Sequence, residues 1–360
     1  MEGQNTDTSS FQRKLLLWYK QHHRKLPWRK DRNPYTIWVS EVMLQQTTVQ
    51  AVLPYYSEWI KTFPDIQSLS QAPLRRILKA WQGLGYYQRA KNLHKASKII
   101  VDKFNGRLPQ EYKELNKLPG FGPYITAAVL SLTFDQPFPV VDANVRRILM
   151  RLKGVRGEAD PKNDKVLLDS LAPHFPRKKT GVFNQAMMEL GALVCRPKNP
   201  YCLLCPLSDY CQAYKDGKQE VIPLPKKRNY RKIEAVVAII RKNGRFLIQK
   251  RPSRGLLADL WEFPGGKTKP GETLEEALHR EIKEELHAEI QSEKLLIRVQ
   301  HSYTQFQVSL YAYECCLKNA PHMNKSHHHW VTLQGMRRYP FPSGSAKIIR
   351  FLQQRIEVKQ

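Results

Sequence analysis

From about Phe11 to Tyr214, apolar residues recur every three or four positions between short polar breaks, as at Leu74, Ile77 and Leu78 after Pro73. That rhythm predicts a succession of amphipathic helices. It stops at residues 216–232, DGKQEVIPLPKKRNYRK, where a glycine, two prolines and a basic run leave little periodicity and predict an exposed linker. Beyond it, EAVVAIIRKNGRFLIQKR is two β-branched apolar runs around Asn243-Gly244, a pair that tolerates the positive φ values of a tight hairpin. Thr273 to Leu286 returns to helical spacing, whereas Phe306, Val308 and Leu310 alternate with polar neighbours as in a half-buried strand. The expectation is a multidomain chain: a flexible N-terminus over 1–10, an all-α domain over 11–215, a linker over 216–232 and an α+β domain over 233–360.

The 360 residues suffice for two separate cores. Lys and Arg number 59 against 32 Asp and Glu, a formal charge of +27, which points to a polyanionic partner, with nucleic acid foremost. No uninterrupted apolar run is long enough to cross a bilayer, and the first residues, MEGQNTDTSS, lack a basic-then-apolar leader pattern. A soluble, intracellular protein without membrane contact is expected. The run His327 to His329 is expected to be a solvated loop.

Four of the six cysteines form Cys195-x6-Cys202-x2-Cys205-x5-Cys211, a loop interrupted by Pro197, Pro200 and Pro206. In a reducing compartment such density suits metal ligation better than disulfides. Zinc and a 4Fe-4S cluster both accept four thiolates; only Cys202 and Cys205 have the close spacing of a zinc pair, which tilts the reading toward iron and sulfur.

Leu118-Pro-Gly-Phe-Gly-Pro-Tyr124 runs directly into the apolar segment ITAAVLSL. Gly120 and Gly122 allow a sharp turn, and exposed N–H groups at a helix start suit a DNA phosphate. Asp142, in PVVDANVRRI, precedes a helical run; it suits an N-cap and, as a carboxylate expected to stay ionised there, also a partner for a developing cation. Glu41 lies among Val39, Val42 and Met43. In such surroundings a carboxyl is expected to have a raised pKa, as a general acid needs, although the segment also allows a solvent-facing residue.

Taken together, SEVMLQQT, GLGYY, LPGFGPY, VDANVRR and the four-cysteine loop resemble the helix-hairpin-helix DNA glycosylases, and over nearly the whole chain the MutY-type adenine DNA glycosylases. The resemblance implies a 4Fe-4S cluster on Cys195, Cys202, Cys205 and Cys211, and a hairpin of Gly120, Gly122 and Tyr124 on the DNA backbone. It also implies Glu41 and Asp142 as the catalytic pair, with Asn144 orienting Asp142 or water. Arg29, Trp28 and Gln185 fall in the adenine pocket, and Gln46, Leu84 and Tyr86 around the opposite base, with Tyr86 on an exposed turn. The implied partner is duplex DNA carrying adenine opposite 8-oxoguanine or guanine, bound by a monomer in the bacterial cytoplasm at the nucleoid. Related endonuclease III enzymes place a lysine nucleophile directly after the hairpin. Tyr124 stands there, so a monofunctional glycosylase is expected.

Gly266-x5-Glu272-x7-Arg280-Glu281-Ile282-Lys283-Glu284-Glu285 closely resembles the Nudix box, with His287 where that box expects glycine. Glu281, Glu284 and Glu285 thus form a vestigial metal site, or the chain is a tethered hydrolase of oxidised nucleoside triphosphates. The lesion-reading loop, Phe-Ser-His in the family, is Tyr303-Thr304-Gln305 here. Thr304 keeps a hydroxyl for the lesion base, and the missing histidine implies weaker discrimination between 8-oxoguanine and guanine. A lyase of the endonuclease III kind and a non-catalytic lesion-binding protein are the remaining alternatives.

Overall fold

The computed structural model describes residues 3–225, 230–303 and 305–357. Up to Lys215 the elements are helices α1 (Gly3–His22), α2 (Pro34–Leu44), α3 (Val49–Thr62), α4 (Ile66–Gln71), α5 (Leu74–Ala80), α6 (Gln88–Phe104), α7 (Tyr112–Leu115), α8 (Pro123–Phe134), α9 (Ala143–Lys153), α10 (Asp164–Leu171), α11 (Thr180–Leu193) and α12 (Gln212–Lys215). The remainder carries strands β1 (Arg231–Lys242), β2 (Arg245–Lys250), β3 (Trp261–Glu262), β4 (Ile290–Tyr303), β5 (Phe306–Leu317) and β6 (His328–Thr332). Helix α13 (Leu274–Leu286) lies between β3 and β4, and α14 (Ser343–Glu357) follows β6. Among the described residues no helix is long and apolar enough to cross a membrane.

The chain divides into two compact units, Met1–Gln71 with Lys95–Lys227, and Ala72–His94 with Arg228–Gln360. In the first, α2 is buried at Tyr35 and at every residue from Ile37 to Met43, and α8 from Ile125 to Thr133. Helices that are apolar all round form the interior of a bundle. A second cluster joins Phe11, Leu15 and Trp18 of α1 to Val145 and Ile148 of α9 and to Phe183, Met187 and Leu190 of α11. Helix α11 approaches its neighbours so closely that a methyl group at Gly181 would stand 2.5 Å from the Ser131 carbonyl oxygen. Only glycine permits that approach.

Residues 72–94 lie in the helical half of the sequence, yet they cluster with the second unit. Lys91 pairs with Asp259 at 2.7 Å, Lys79 donates to the Tyr339 carbonyl, and the Tyr87 hydroxyl donates to the Phe341 carbonyl. These partners are too distant in sequence for local periodicity to reveal.

The second unit's sheet has strand order β3-β2-β1-β5-β4, with β6 also paired to β2. The expected hairpin turn is present, Asn243 and Gly244 both having positive φ between β1 and β2. The longer neighbour of β1 is β5, paired in parallel from Arg231↔Phe306 to Ile240↔Cys315. Along β1, Val237 and Ile239 pack toward Ile348 and Leu352 of α14, whereas Val236, Ala238 and Ile240 pack toward Ala277, Leu278 and Ile282 of α13. Burial on both faces explains an unbroken apolar run in place of alternation. Thr273 caps α13 in a capping box with Glu276. His328 and His329 open strand β6 rather than a solvated loop; His329 packs on Trp261 at 4.5 Å.

Candidate functional site

Asn33 caps α2 by accepting the Tyr35 N–H at 2.9 Å, and Pro34 fits the first turn. The helix then carries Glu41 through the interior, where it is only 5% exposed. The solvent-facing alternative is thereby excluded. Burial pushes the Glu41 carboxyl up to about 7. The Tyr124 hydroxyl, donating to Glu41 Oε2 at 2.8 Å, opposes that rise. The charge of Asp142 adds to it and the charge of Arg29 offsets part of it. Glu41, Tyr124, Asp142 and Arg29 therefore converge.

Asp142 is the N-cap of α9, accepting the Val145 N–H at 2.7 Å, and the Asn144 amide donates to its other oxygen at 3.0 Å. An N-cap carboxylate was expected to stay ionised. Burial raises its pKa from the ordinary Asp value, opposed by these hydrogen bonds and by the nearby charge of Arg147. Arg147 continues the chain of contacts. It donates to Asn144 Oδ1 at 3.0 Å, to the Gly191 carbonyl at 2.8 Å and to the Cys195 carbonyl at 2.8 Å. A methyl group at Gly191 would stand 2.6 Å from Asn144 Cβ, so this glycine lets α11 rest on the first turn of α9.

The hairpin residues divide in their needs. Gly120 has φ +84°, which glycine alone adopts freely. Gly122 has φ −77° and caps α8 with open space where a Cβ would stand, so its conformation does not require glycine. Phe121 between them stacks on Trp38 of α2 at 5.1 Å, which ties the hairpin to the helix bearing Glu41.

Arg29 links Glu41 to a buried charged group that the sequence reading missed. Glu189 is fully buried and accepts hydrogen bonds from the Arg24 N–H, from Arg24 Nε and Nη2, and from Arg29 Nη2 at 2.7 Å. Desolvation would raise its pKa, but the two arginines hold it down at about 2. One turn earlier on α11, Gln185 Oε1 accepts from the Tyr19 hydroxyl at 2.7 Å, and the Arg29 guanidinium lies 6.0 Å from the Tyr19 ring centre. Arg29 and Gln185 thus both lie against Tyr19. Trp28 is buried edge-on against Tyr56 at 5.1 Å, the packing of a core anchor. A carboxylate inside the apolar run MMELGAL is the same signal that singled out Glu41, and it was available for Glu189.

Gln46 is exposed with φ +56° just past α2. In the second unit Leu84 is buried, and Tyr86, expected on an exposed turn, is half-buried with φ +46°. The turn is fastened by Trp81 Nε1 on the Gly85 carbonyl and by Arg89 on the Leu84 and Gly85 carbonyls. Tyr303 ends β4; its side chain and the whole of Thr304 lie outside the described residues.

Cys195, Cys202, Cys205 and Cys211 line one cavity together with Arg151 and Tyr214. Among the described residues no three His, Cys, Asp or Glu side chains come close enough to hold a single metal ion. Four thiols lining one cavity could together hold a centre ligated by four thiolates. Arg151 donates to Cys195 Sγ at 3.2 Å and to the carbonyls of Arg196 and Pro197, a cation suited to an anionic thiolate centre. Without that centre, burial pushes the Cys205 thiol up to about 12.

In the second unit Arg280 pairs with Glu272 at 2.6 Å, Glu281 at 2.7 Å and Glu284 at 3.3 Å. Glu285 accepts from Gln249 and from the Gly265 N–H, and burial pushes it up to about 7. The three box glutamates thus have partners of their own. His287 ends α13 with φ +50°, which explains why the Nudix box favours glycine there.

Comparison with known proteins matches residues 39–173 to the HhH-GPD superfamily base excision DNA repair proteins and residues 235–351 to the NUDIX domain. Adenine DNA glycosylase of Buchnera aphidicola subsp. Schizaphis graminum is 43% identical over 262 residues, covering 72% of this chain and 76% of its own. The Mus musculus adenine DNA glycosylase is 33% identical over 376 residues, 88% of this chain and 72% of its own. Among solved structures, a thermostable thymine-DNA glycosylase aligns with TM-score 0.54 at 30% identity, covering 59% of this chain and 98% of that one. A non-covalent endonuclease III–DNA complex shares the fold, with TM-score 0.51 at 24% identity over 60% of this chain and 99% of that one.

Proposed function

The chain belongs to the adenine DNA glycosylase family, and from that premise we propose that Glu41 and Asp142 divide the hydrolysis of the N-glycosidic bond between them. The enzyme removes adenine from DNA in base excision repair. The observation that carries the division of labour is the pair of environments: Glu41 buried with a carboxyl raised to about 7, and Asp142 held at the start of α9 by Val145 and Asn144. Burial raises both carboxyl groups, and the hydrogen bonds from Val145 and Asn144 counter that rise at Asp142, as a charge stabiliser beside an acid requires.

Adenine must leave the stack before its bond is reached. Glu41, protonated in part at neutral pH, gives its proton to N7 of the flipped base. Tyr124 occupies Oε2 and leaves Oε1 to carry that proton. As the C1′–N9 bond breaks, positive charge spreads over the sugar. Asp142 faces it as a carboxylate, stabilising the cation or bonding it transiently, and Asn144 fixes the orientation of Asp142. Water then adds to C1′ and gives its proton to the Glu41 carboxylate, restoring the acid and leaving an abasic site and free adenine. Tyr124 offers no amine for a Schiff base, so the reaction ends with hydrolysis.

The cysteine loop would hold a 4Fe-4S cluster through Cys195, Cys202, Cys205 and Cys211. When bound, it cross-links the loop by four iron–thiolate bonds. Gly120 and Gly122 grip the DNA backbone, and Arg29 and Gln185 line the adenine pocket with Trp28 behind them. In the second unit Tyr86 is the DNA wedge, Leu84 being buried, and Gln46 of the first unit meets the opposite base. That base is 8-oxoguanine or guanine, read by Tyr303 and Thr304, and the enzyme works as a monomer in the bacterial cytoplasm. Incubating it with A:8-oxoguanine, A:G and T:G duplexes, then cleaving abasic sites with alkali, tests this reading. Strand breaks at adenine in the first two duplexes and none in the third are expected; equal cleavage of all three contradicts it.

A further inference from the structure

The pocket reading makes Gln185 a contact of the flipped base, and the inference here rests on it. A primary amide has two faces, a carbonyl acceptor and an NH2 donor, and can rotate to exchange them. With Glu41 on N7, the neighbouring edge of adenine presents the N6 amine as donor and N1 as acceptor. A 6-oxopurine such as hypoxanthine presents the opposite pattern at the same two places, an O6 acceptor and an N1–H donor. One orientation of the amide therefore matches adenine, and the rotated one matches the 6-oxopurine.

The Tyr19 hydroxyl donates to Gln185 Oε1 at 2.7 Å. Tyr19 is itself buried on α1. The charged neighbours supply no competing acceptor. Arg29 carries only donors, and Glu189 accepts three hydrogen bonds from Arg24 and one from Arg29. Rotating the amide would turn NH2 toward Tyr19 and leave the hydroxyl proton without its acceptor, a penalty that buried polar groups rarely bear. Carbon, nitrogen and oxygen positions in the pocket barely change on rotation, so shape alone does not choose between the two orientations.

We infer that Tyr19 is a specificity-determining positioning residue, which holds the Gln185 amide in the orientation that accepts from a 6-amino group and so selects adenine over 6-oxopurines. Tyr19 acts through Gln185 and does not itself touch the base. Its effect is therefore on the choice between bases rather than on protonation or hydrolysis.

The test compares single-turnover excision of adenine and of hypoxanthine from otherwise identical duplexes by the full chain carrying its cluster. Tyr19→Phe keeps the ring beside Arg29 and removes only the hydroxyl. The adenine-to-hypoxanthine rate ratio is expected to fall about three- to tenfold, the range of one hydrogen bond. In a Gln185→Ala background, the same change is expected to leave the ratio where Gln185→Ala puts it. A ratio unmoved by Tyr19→Phe, with both rates unchanged or lowered equally, overturns the proposal, as does an equal shift of the ratio in the Gln185→Ala background. If Gln185→Ala alone keeps the wild-type ratio, Gln185 does not read the base and the pocket reading falls with the proposal. If Gln185→Ala lowers the ratio while Tyr19→Phe does not, the pocket reading stands and the role of Tyr19 falls.

Discussion

The Tyr124 hydroxyl donates a 2.8 Å hydrogen bond to Glu41 Oε2, joining the first turn after the hairpin to a helix 83 residues earlier. This bond draws the Glu41 pKa down from where burial alone would place it. Tyr124→Phe should therefore make Glu41 a weaker acid still. Because the proton donor must be protonated, the alkaline limb of the single-turnover rate should move to higher pH. A rate–pH profile over pH 6–9 checks this; an unmoved limb, or one at lower pH, contradicts it.

Glu41 also burdens the fold. Its folded pKa of about 7 lies above the ordinary Glu value of 4.5, so the folded state binds the proton more tightly than the unfolded one. Stability from this group is fully present below the unfolded pKa and is lost as pH rises through about 7. Glu41→Gln should lose adenine release yet gain stability relative to wild type, by at most about 3 kcal/mol above pH 8 and by little near pH 5. Denaturant midpoints at both pH values measure this. A difference that does not grow with pH refutes it.

The cysteine cavity predicts a yellow-brown protein with about four iron atoms per chain. Iron analysis of protein made anaerobically in iron-replete medium checks it, and stoichiometric zinc without iron contradicts it. Cys205→Ser should lower the iron content and weaken duplex binding.

In the second unit, Arg280 holds Glu281 and Glu284 while Gln249 and Gly265 hold Glu285. Glu284→Gln with Glu285→Gln should leave adenine excision within about twofold of wild type, as expected of residues outside the first site. The wild type should show no appreciable magnesium-dependent hydrolysis of 8-oxo-dGTP. Hydrolysis that disappears in the double variant would make the chain an enzyme of two activities.

Sequence reading located what depends on local rules. Asp142 could be placed as an N-cap because its helix begins one residue later, and Asn243-Gly244 as a turn because few pairs tolerate two positive φ values. Glu41 stood out as a carboxyl among apolar neighbours. What it could not supply were partners brought together by packing. Tyr124 was read as part of the hairpin and for the lysine it replaces, but its bond to Glu41 spans the bundle. Arg147 carried no signal of its own in VDANVRR, yet it joins Asn144 to the Cys195 loop. The parallel pairing of β1 with β5 depends on a register that alternating hydrophobicity does not specify.

The division of roles between Glu41 and Asp142 stands or falls on adenine release from an A:8-oxoguanine duplex by wild type and Glu41→Gln, measured at saturating enzyme across pH 5–9. The wild-type rate should decline with a midpoint near the Glu41 pKa of about 7. Glu41→Gln should bind the duplex with similar affinity and release adenine at least about 100-fold more slowly at every pH, the lower range of what a positioned general acid contributes. Release by Glu41→Gln within a few-fold of wild type, or a wild-type rate that rises with pH through 7, would show that the proton comes from elsewhere.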